Sequence, residues 1–254
     1  MAKYDKTFWR RVLGSAKTTT LMGNLQRMVE NQEQKVTVAL VDSLDEHDVL
    51  ESLLEDSKPD HGHAGLARLD YLLSTPWRYP PLKWGSRFGR RFEPSLFYGS
   101  LSPDALFAEA AYYRLLFLEG MKTPFRDRVI SQYTIFDAQY QTERGFRLTE
   151  RPFAKHEKTL RHRAHYAPCQ TLGTVLRERG VVAITYYSAR TLGEEQNIAL
   201  FSPQGLRSRK HRRPRHGLCE TTTDGVNFRF GDELRNYARD NFLYKGELPL
   251  PAAG

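Results

Sequence analysis

Apolar residues recur at strand and helix spacings in mixed order along the chain. The pair Ser102 and Pro103 precedes an apolar, aromatic run that extends to about Glu119, which predicts a helix with a capped first turn. A short strand over residues 96–99 comes directly before it. Further helices are predicted over 169–179 and 232–241, and further strands over 181–187, 197–201 and 226–230. Short strands mixed with helices favour a single α+β domain.

The N-terminal part of the chain predicts a smaller α/β extension. We expect residues 1–65 to form this extension and residues 66–254 to form the main body. The extension has the order helix, strand, helix: the β-branched run over 35–41 predicts a buried strand, and Ser43 with Glu46 predicts a capping box at the next helix start. Because a segment of about 60 residues buries little core alone, we expect it to pack on the main body.

The positive charge of the chain is concentrated in one segment. The chain has 38 Lys and Arg against 30 Asp and Glu, a net charge of +8, and residues 207–216 hold six of the basic residues. This run predicts a basic loop, which either attracts a polyanion or an acidic partner or is simply a solvated surface. Since no helix-turn-helix, zinc-finger or RNA-binding sheet signature accompanies it, we do not expect direct nucleic-acid binding.

Membrane and secretion signals are not found in the sequence. No apolar run approaches the roughly 20 residues that span a bilayer, and the N-terminus lacks the apolar segment of a secretion signal. Two cysteines, Cys169 and Cys219, are too few for a disulfide framework. We therefore expect a cytoplasmic protein without a membrane partner.

The histidines do not predict a metal site. His61 and His63 lie in a loop without matching ligands. His156, His162 and His165 lie among basic residues, which repel a cation. We expect no metal.

One carboxylate has an unusual position in the predicted central helix. Glu109 shares a helix face with apolar and aromatic residues, and no Lys or Arg lies three or four positions away. A carboxylate on such a face either finds a partner elsewhere in the fold, serves a site or reaches solvent. The pattern alone leaves these alternatives open.

Two arginines and a serine are further candidates for chemistry. Arg78 and Arg87 lie among aromatic residues in a segment rich in proline and glycine. A guanidinium beside aromatic rings suits an anionic planar ligand, although it is also common as a stack inside a structural loop. Ser188 follows a predicted strand, where it either belongs to a site or caps the turn.

Taken together, these motifs resemble the RES-domain family. They are, in chain order, Arg78-Tyr79, Arg87 within GSRF, Tyr98 within FYGS, Glu109 within SPDALFAE and Ser188 within YYS. Arg87 precedes Tyr98 by eleven residues, and Tyr98 precedes Glu109 by eleven more. The resemblance covers about residues 70–203, slightly over half of the chain.

The resemblance implies a fold related to ADP-ribosyltransferases and an activity that consumes NAD⁺. Its members cleave the nicotinamide–ribose bond by phosphorolysis or hydrolysis, and some transfer ADP-ribose to a protein. NAD⁺ is then a substrate and not a bound cofactor, with inorganic phosphate as co-substrate in the phosphorolytic case. Because the family comprises toxins of RES–Xre toxin–antitoxin modules, it also implies an Xre-type antitoxin, and a homodimer or a hetero-oligomer with that antitoxin.

The resemblance also assigns roles to individual residues. It implies catalytic roles for Glu109, Arg78 and Ser188 and substrate-binding roles for Arg87, Tyr79 and Tyr98. Glu109 would stabilise positive charge that develops on the ribose. Arg78 and Arg87 would hold the pyrophosphate or an incoming phosphate, the two tyrosines would wall the nicotinamide, and Ser188 would bond the nicotinamide ribose or amide. Since family members commonly carry their first arginine near the chain start, Arg10 is a rival of Arg78.

Overall fold

The computed structural model describes residues 3–31, 46, 65–121 and 128–250. Within these residues the α-helices are α1 (Lys6–Gly14), α2 (Tyr71–Arg78), α3 (Pro103–Glu119), α4 (Glu157–Leu160) and α5 (Ala167–Glu178). The strands are β1 (Thr19–Glu30), β2 (Phe97–Ser100), β3 (Val129–Arg147), β4 (Ala183–Tyr187), β5 (Gln196–Leu200), β6 (Arg212–Thr221), β7 (Gly225–Phe230) and β8 (Glu233–Ala238). The predicted α+β class is confirmed.

The strands form one sheet in the order β1-β2-β5-β4-β3-β6-β7-β8. β1 also pairs with β3, so the first five strands of this order form a closed ring of pairings. β1 and β2 share a single registered pair, Gln26 with Ser100, whereas β1 follows β3 from Thr19 to Glu30. The two strands β1 and β2 therefore diverge beyond that pair.

Helix α3 has the start that the sequence predicts. The hydroxyl of Ser102 accepts a hydrogen bond of 3.3 Å from the backbone N–H of Ala105, and Pro103 occupies the first turn. One side of α3 packs into the core, where Tyr112 and Phe107 lie with strand residues such as Phe228. This packing fixes the orientation of the remaining α3 face.

Residues 3–31 supply α1 and β1. Trp9 and Leu13 of α1 are buried against Leu172 and Leu176 of α5. β1 pairs antiparallel with β3 along its whole length, so it is an integral strand of the sheet. The strand predicted over 35–41 and the helix predicted from Ser43 lie outside the described residues. The domain boundary at residue 65 stays a prediction.

Most of the remaining predicted elements are confirmed with ends shifted by a few residues, as β2, β4, β5, β7 and α5. The helix predicted over 232–241 is wrong, because the chain there forms β8 and a short 3₁₀ helix, Arg239–Phe242. All six residues of β8 pair with β7, and their burial alternates. Such alternation is the period of a strand.

The basic loop predicted over 207–216 is wrong in its second half, where β6 begins at Arg212 and pairs with β3. Two of its cations are neutralised: Arg213 pairs with Asp137 at 2.6 Å, and Arg215 pairs with Glu233 at 3.1 Å. The basic residues of this segment therefore form a strand with β3 despite their mutual repulsion.

Candidate active site

A tight turn between α2 and β2 carries Arg87. Gly85 has a positive φ of 71°, a conformation that favours glycine, and the backbone N–H of Ser86 donates to the carbonyl of Gly89 at 2.7 Å. The Gln170 side chain of α5 donates to the carbonyls of Trp84 and Ser86, at 3.1 Å each. Helix α5 thus holds the turn.

Helix α5 also approaches the turn closely. A Cβ atom on Gly173 would overlap the carbonyl oxygen of Phe88, so only glycine fits at that position. Helix α5, none of whose residues was among the predicted site residues, therefore fixes the position of the turn that carries Arg87.

Arg87 is buried, at 6% exposure, and points under the loop that precedes α5. Its Nη1 donates to the carbonyls of His162 at 3.0 Å and Leu160 at 3.3 Å, and its guanidinium lies 4.4 Å from the centroid of the Tyr166 ring. Burial alone would lower the pKa of Arg87, but Tyr166, Cys169 and Glu109 raise it above its ordinary value. Arg87 is therefore a fixed positive charge.

Tyr98 extends from β2 to the same turn. Its hydroxyl accepts a hydrogen bond of 3.1 Å from the N–H of Phe88 and shares one of 2.8 Å with the hydroxyl of Ser86. Burial raises the pKa of Tyr98 to about 12, so the hydroxyl is neutral at physiological pH. The predicted pair Arg87 and Tyr98 thus belongs to one structural unit.

Glu109 lies in the middle of α3 and faces the ends of β4 and β5. Its Oε1 accepts hydrogen bonds from the Ser188 hydroxyl at 2.7 Å and from the Asn197 amide at 3.0 Å. Asn197 is in turn oriented by the hydroxyl of Ser100, which donates to its Oδ1 at 2.8 Å. The second carboxylate oxygen, Oε2, accepts no hydrogen bond from the described residues. The hydrogen-bond partners of Glu109, which the sequence left open, are therefore Ser188 and Asn197.

A buried arginine that sequence reasoning missed lies behind Glu109. The side chain of Arg190 is 1% exposed, and its Nε lies 4.0 Å from Glu109 Oε2. Its Nη2 donates to the Tyr166 hydroxyl at 2.5 Å, and its guanidinium lies 3.4 Å from the centroid of the Tyr112 ring. Tyr166 thus contacts both Arg87 and Arg190. The sequence signal that could have identified Arg190 is its position two residues after the candidate Ser188.

Several of these side chains line one cavity of about 620 Å³. Glu109, Arg87, Tyr98 and Tyr79 line it, whereas Ser188 reaches it only through its hydrogen bond to Glu109. Tyr79 is 39% exposed, at the rim. A cavity of this size, with a few convergent polar groups, is typical of a small-molecule site.

Arg27 of β1 is the second arginine of the cavity and was also missed. It lines the cavity, and its guanidinium lies 4.7 Å from the centroid of the Phe97 ring. Burial lowers its pKa to about 10, so it still carries its charge at neutral pH. No carboxylate among the described residues pairs with Arg27 or Arg87. We missed Arg27 because β1 has no clear apolar alternation and joins the sheet through long-range pairing with β3.

The structure does not bring the two other candidate arginines into the cavity. Arg78 is the last residue of α2, and its guanidinium lies 5.8 Å from the centroid of the Tyr71 ring. Arg10 is on α1, where it pairs with Glu178 at 2.9 Å. Neither residue lines the cavity. Arg27 lines the cavity, and the role that the resemblance implies for Arg78 stays a prediction.

Metal-ligating residues do not cluster in the described ranges, where no group of three or more His, Cys, Asp or Glu residues could hold an ion. His162 instead accepts hydrogen bonds at Nδ1 from the backbone of Ala164 and His165, at 3.1 and 2.9 Å. His61 and His63 lie outside the described residues. No helix of the described part is both long and apolar enough to cross a membrane.

Comparison with known proteins identifies the family. The model of the RES domain matches residues 63–220, which is more than half of the chain. The chain belongs to the RES-domain family. The matched range of the RES domain contains all six predicted site residues, whereas Arg27 lies before it.

Solved structures include similar chains. The chain is similar to a chain of the crystal structure of the M. tuberculosis MbcT–MbcA toxin–antitoxin complex, with 12% sequence identity and a TM-score of 0.47. The similarity covers 81% of this chain and 90% of that chain. No curated protein matches this RES-domain protein.

Proposed function

We propose that this RES-domain protein cleaves the nicotinamide–ribose bond of NAD⁺ and is the toxin of a toxin–antitoxin module. The observation that carries the proposal is the arrangement in one cavity of a fixed carboxylate, Glu109, and two arginines without carboxylate partners among the described residues, Arg27 and Arg87. Arginines without a paired carboxylate favour an anionic ligand, and a fixed carboxylate favours a reaction in which positive charge develops.

Glu109 acts on the ribose. When the bond from the anomeric carbon to the nicotinamide nitrogen breaks, its electron pair leaves with nicotinamide, and the ribose gains oxocarbenium character. Oε1 of Glu109 is held by Ser188 and Asn197, so Oε2 is oriented and available to the substrate. A preorganised carboxylate stabilises this charge without rearranging during the reaction. The acceptor oxygen then bonds to the anomeric carbon and releases its proton.

The arginines bind the anionic part of the substrate. Arg27 lies in the cavity wall on β1, and we assign it to the pyrophosphate. Arg87 is more buried, with its guanidinium over the Tyr166 ring, and we assign it to a phosphate oxygen of the dinucleotide or to an incoming phosphate. A planar guanidinium suits both ligands because it donates two parallel hydrogen bonds to oxyanions. NAD⁺ is the substrate, and no further cofactor is part of the proposal.

The group that accepts ADP-ribose distinguishes three forms of the reaction. Phosphate gives phosphorolysis, water gives hydrolysis, and a protein side chain gives ADP-ribosylation of a protein. We would incubate the purified protein with NAD⁺, with and without phosphate, and resolve the products by mass. ADP-ribose-1″-phosphate indicates phosphorolysis, free ADP-ribose indicates hydrolysis, and a mass increase on an added protein indicates transfer. Intact NAD⁺ under all three conditions would contradict the proposal.

Partners follow from the family resemblance. We propose an Xre-type antitoxin that covers the cavity in the same cytoplasm, because a protein that consumes NAD⁺ would otherwise harm its host. The alternative of a nucleic-acid-binding protein is weaker, since Arg213 and Arg215 of the basic run already pair with carboxylates. Co-expression with the product of an adjacent Xre-type gene should yield a hetero-oligomer without NAD⁺ loss.

A further inference from the structure

The cavity continues along α3 away from Glu109. Tyr113, Arg114 and Phe117 of α3 line this arm, and Glu30 and Tyr133 line it from the sheet. Eight residues separate Glu109 from Phe117, which at the helical rise is about 12 Å. A ligand whose reacting atom lies at Glu109 therefore has room for a long second part.

An ion pair between a buried arginine and a partly exposed carboxylate lies in this arm. Arg114 is 4% exposed, and its Nη1 lies 3.2 Å from Oε2 of Glu30. The other nitrogens of Arg114 are held too, since Nε donates to Thr221 and Nη2 donates to Ser131, at 3.2 Å each. The Tyr133 hydroxyl adds a bond of 3.4 Å to Glu30 Oε2. The carboxylate is thus fixed through one of its two oxygens.

The other oxygen of Glu30 is available to a ligand. Oε1 accepts no hydrogen bond from the described residues, and the side chain is 35% exposed at the cavity wall. Two aromatic side chains of α3 that line this arm are also exposed, Tyr113 at 44% and Phe117 at 54%. A hydrogen-bond acceptor for hydroxyl groups beside flat apolar surfaces is the chemistry that a nucleoside requires.

We propose that Glu30 binds the free 2′,3′-diol of the adenosine ribose of the dinucleotide and that this end of the cavity thereby excludes a 2′-phosphorylated dinucleotide. The inference rests on the proposed function, because it takes NAD⁺ as the molecule that reaches Glu109. The nicotinamide ribose then lies at Glu109, and Glu30, in the arm of the cavity beyond it, holds the second ribose. Phe117 and Tyr113 supply the surface against which the base packs.

The exclusion has a physical cause. A carboxylate accepts hydrogen bonds from the two hydroxyls of a ribose, as in other dinucleotide sites, whereas a 2′-phosphate would bring like charges together. Arg114 is neutralised by Glu30. Removal of the carboxylate leaves Arg114 without its counter-charge and opens it to the cavity, where it suits a phosphate.

The test compares NAD⁺ with NADP⁺ as substrates. We expect the wild-type protein to prefer NAD⁺ by at least about 10²-fold in kcat/KM, since like-charge contacts are costly. Glu30→Ser should lower kcat/KM for NAD⁺ about tenfold, mainly through KM, and raise it for NADP⁺ at least about tenfold. Adding Arg114→Met to Glu30→Ser should remove the gain with NADP⁺. Glu119→Ser, at the end of the same helix and outside the cavity, is the matched control and should leave the preference unchanged.

A milder variant guards against loss of folding. Glu30→Gln keeps an acceptor for Arg114 and Tyr133 but removes the charge, so it should fold and should still narrow the preference for NAD⁺. A wild-type protein that consumes both dinucleotides equally, or folded variants at Glu30 that keep the wild-type preference, would overturn the inference while leaving the proposed function intact. A wild-type protein that consumes neither dinucleotide would overturn both.

Discussion

The hydroxyl of Ser188 donates a hydrogen bond of 2.7 Å to Oε1 of Glu109, which is 79 residues away in the sequence. Ser188 is fully buried and does not line the cavity, so in the proposed reaction it would act on the substrate only through this carboxylate. The same hydroxyl accepts a hydrogen bond of 3.1 Å from the backbone N–H of Arg190, which fixes its orientation. Ser188 is therefore a positioning residue for Glu109.

Removing this hydroxyl should impair turnover more than binding. We expect Ser188→Ala to lower kcat for NAD⁺ by about tenfold or more, since a hydrogen bond to a charged group contributes roughly 1.5–3 kcal/mol. Steady-state kinetics with NAD⁺ would measure it. Ser15→Ala, at the exposed end of α1, is the control and should match the wild type. An unchanged kcat in folded Ser188→Ala would show that the bond to Glu109 does not matter for turnover.

The arginines should affect binding. The measurements use a Glu109→Gln background, where substrate is not consumed. We expect Arg27→Met and Arg87→Lys each to weaken NAD⁺ affinity by about tenfold or more. Arg87→Ala should bind NAD⁺ more weakly than Arg87→Lys. Arg78→Met and Arg10→Met should stay within about threefold of the background, because neither residue lines the cavity. Calorimetric titration measures all of them. Loss of binding in Arg78→Met together with full binding in Arg27→Met would reverse the assignment.

The packing of α5 on the Arg87 turn should be sensitive to a single methyl group. Gly173→Ala forces its Cβ against the carbonyl of Phe88, so we expect it to destabilise the fold by about 1–3 kcal/mol and to weaken NAD⁺ binding by displacing Arg87. Gly14→Ala is the control, since nothing lies within 4 Å of a Cβ there. Thermal unfolding and titration with NAD⁺ would be measured side by side. Equal stability of the two variants would contradict the close approach.

Tyr98 should contribute to the stability of the fold at alkaline pH. Its pKa is about 12 in the folded protein and about 10 in an unfolded chain. Because the folded state holds the proton more tightly, this stabilisation is complete below pH 10 and is lost as pH rises through 12. We expect the free energy of unfolding, from urea titrations, to decline across that window. The decline should be shallower in Tyr98→Phe, and an identical decline in both proteins would contradict the role of Tyr98.

The sequence predicted the parts of the site whose signals are local. The cap at Ser102 and the face of α3 that carries Glu109 follow from short-range spacing, and α3 forms as expected. Arg27 could not be predicted in the same way, because its place depends on the pairing of β1 with β3, more than 100 residues away in sequence. The residues of one strand do not show which distant strand it pairs with, so the position of Arg27 could not be predicted from them.

The wrong helix at 232–241 has a related explanation. The segment contains charged residues at spacings that suit a helix, but β7 offers an open edge, and all six residues of β8 pair with it. Leu234 is 64% exposed, whereas Tyr237 is partly buried beside the core that contains Phe242. Tertiary pairing thus decided between two local conformations, as it often does for short segments.

Release of nicotinamide by wild-type and Glu109→Gln protein is the most direct test of the central claim. Chromatography would follow free nicotinamide after incubation of each purified, folded protein with NAD⁺, with Glu119→Gln as a control on the same helix. We predict rapid release by the wild type and by Glu119→Gln, and release slower by at least about 10²-fold by Glu109→Gln. Equal release by Glu109→Gln and the wild type, or no release by the wild type, would contradict the account.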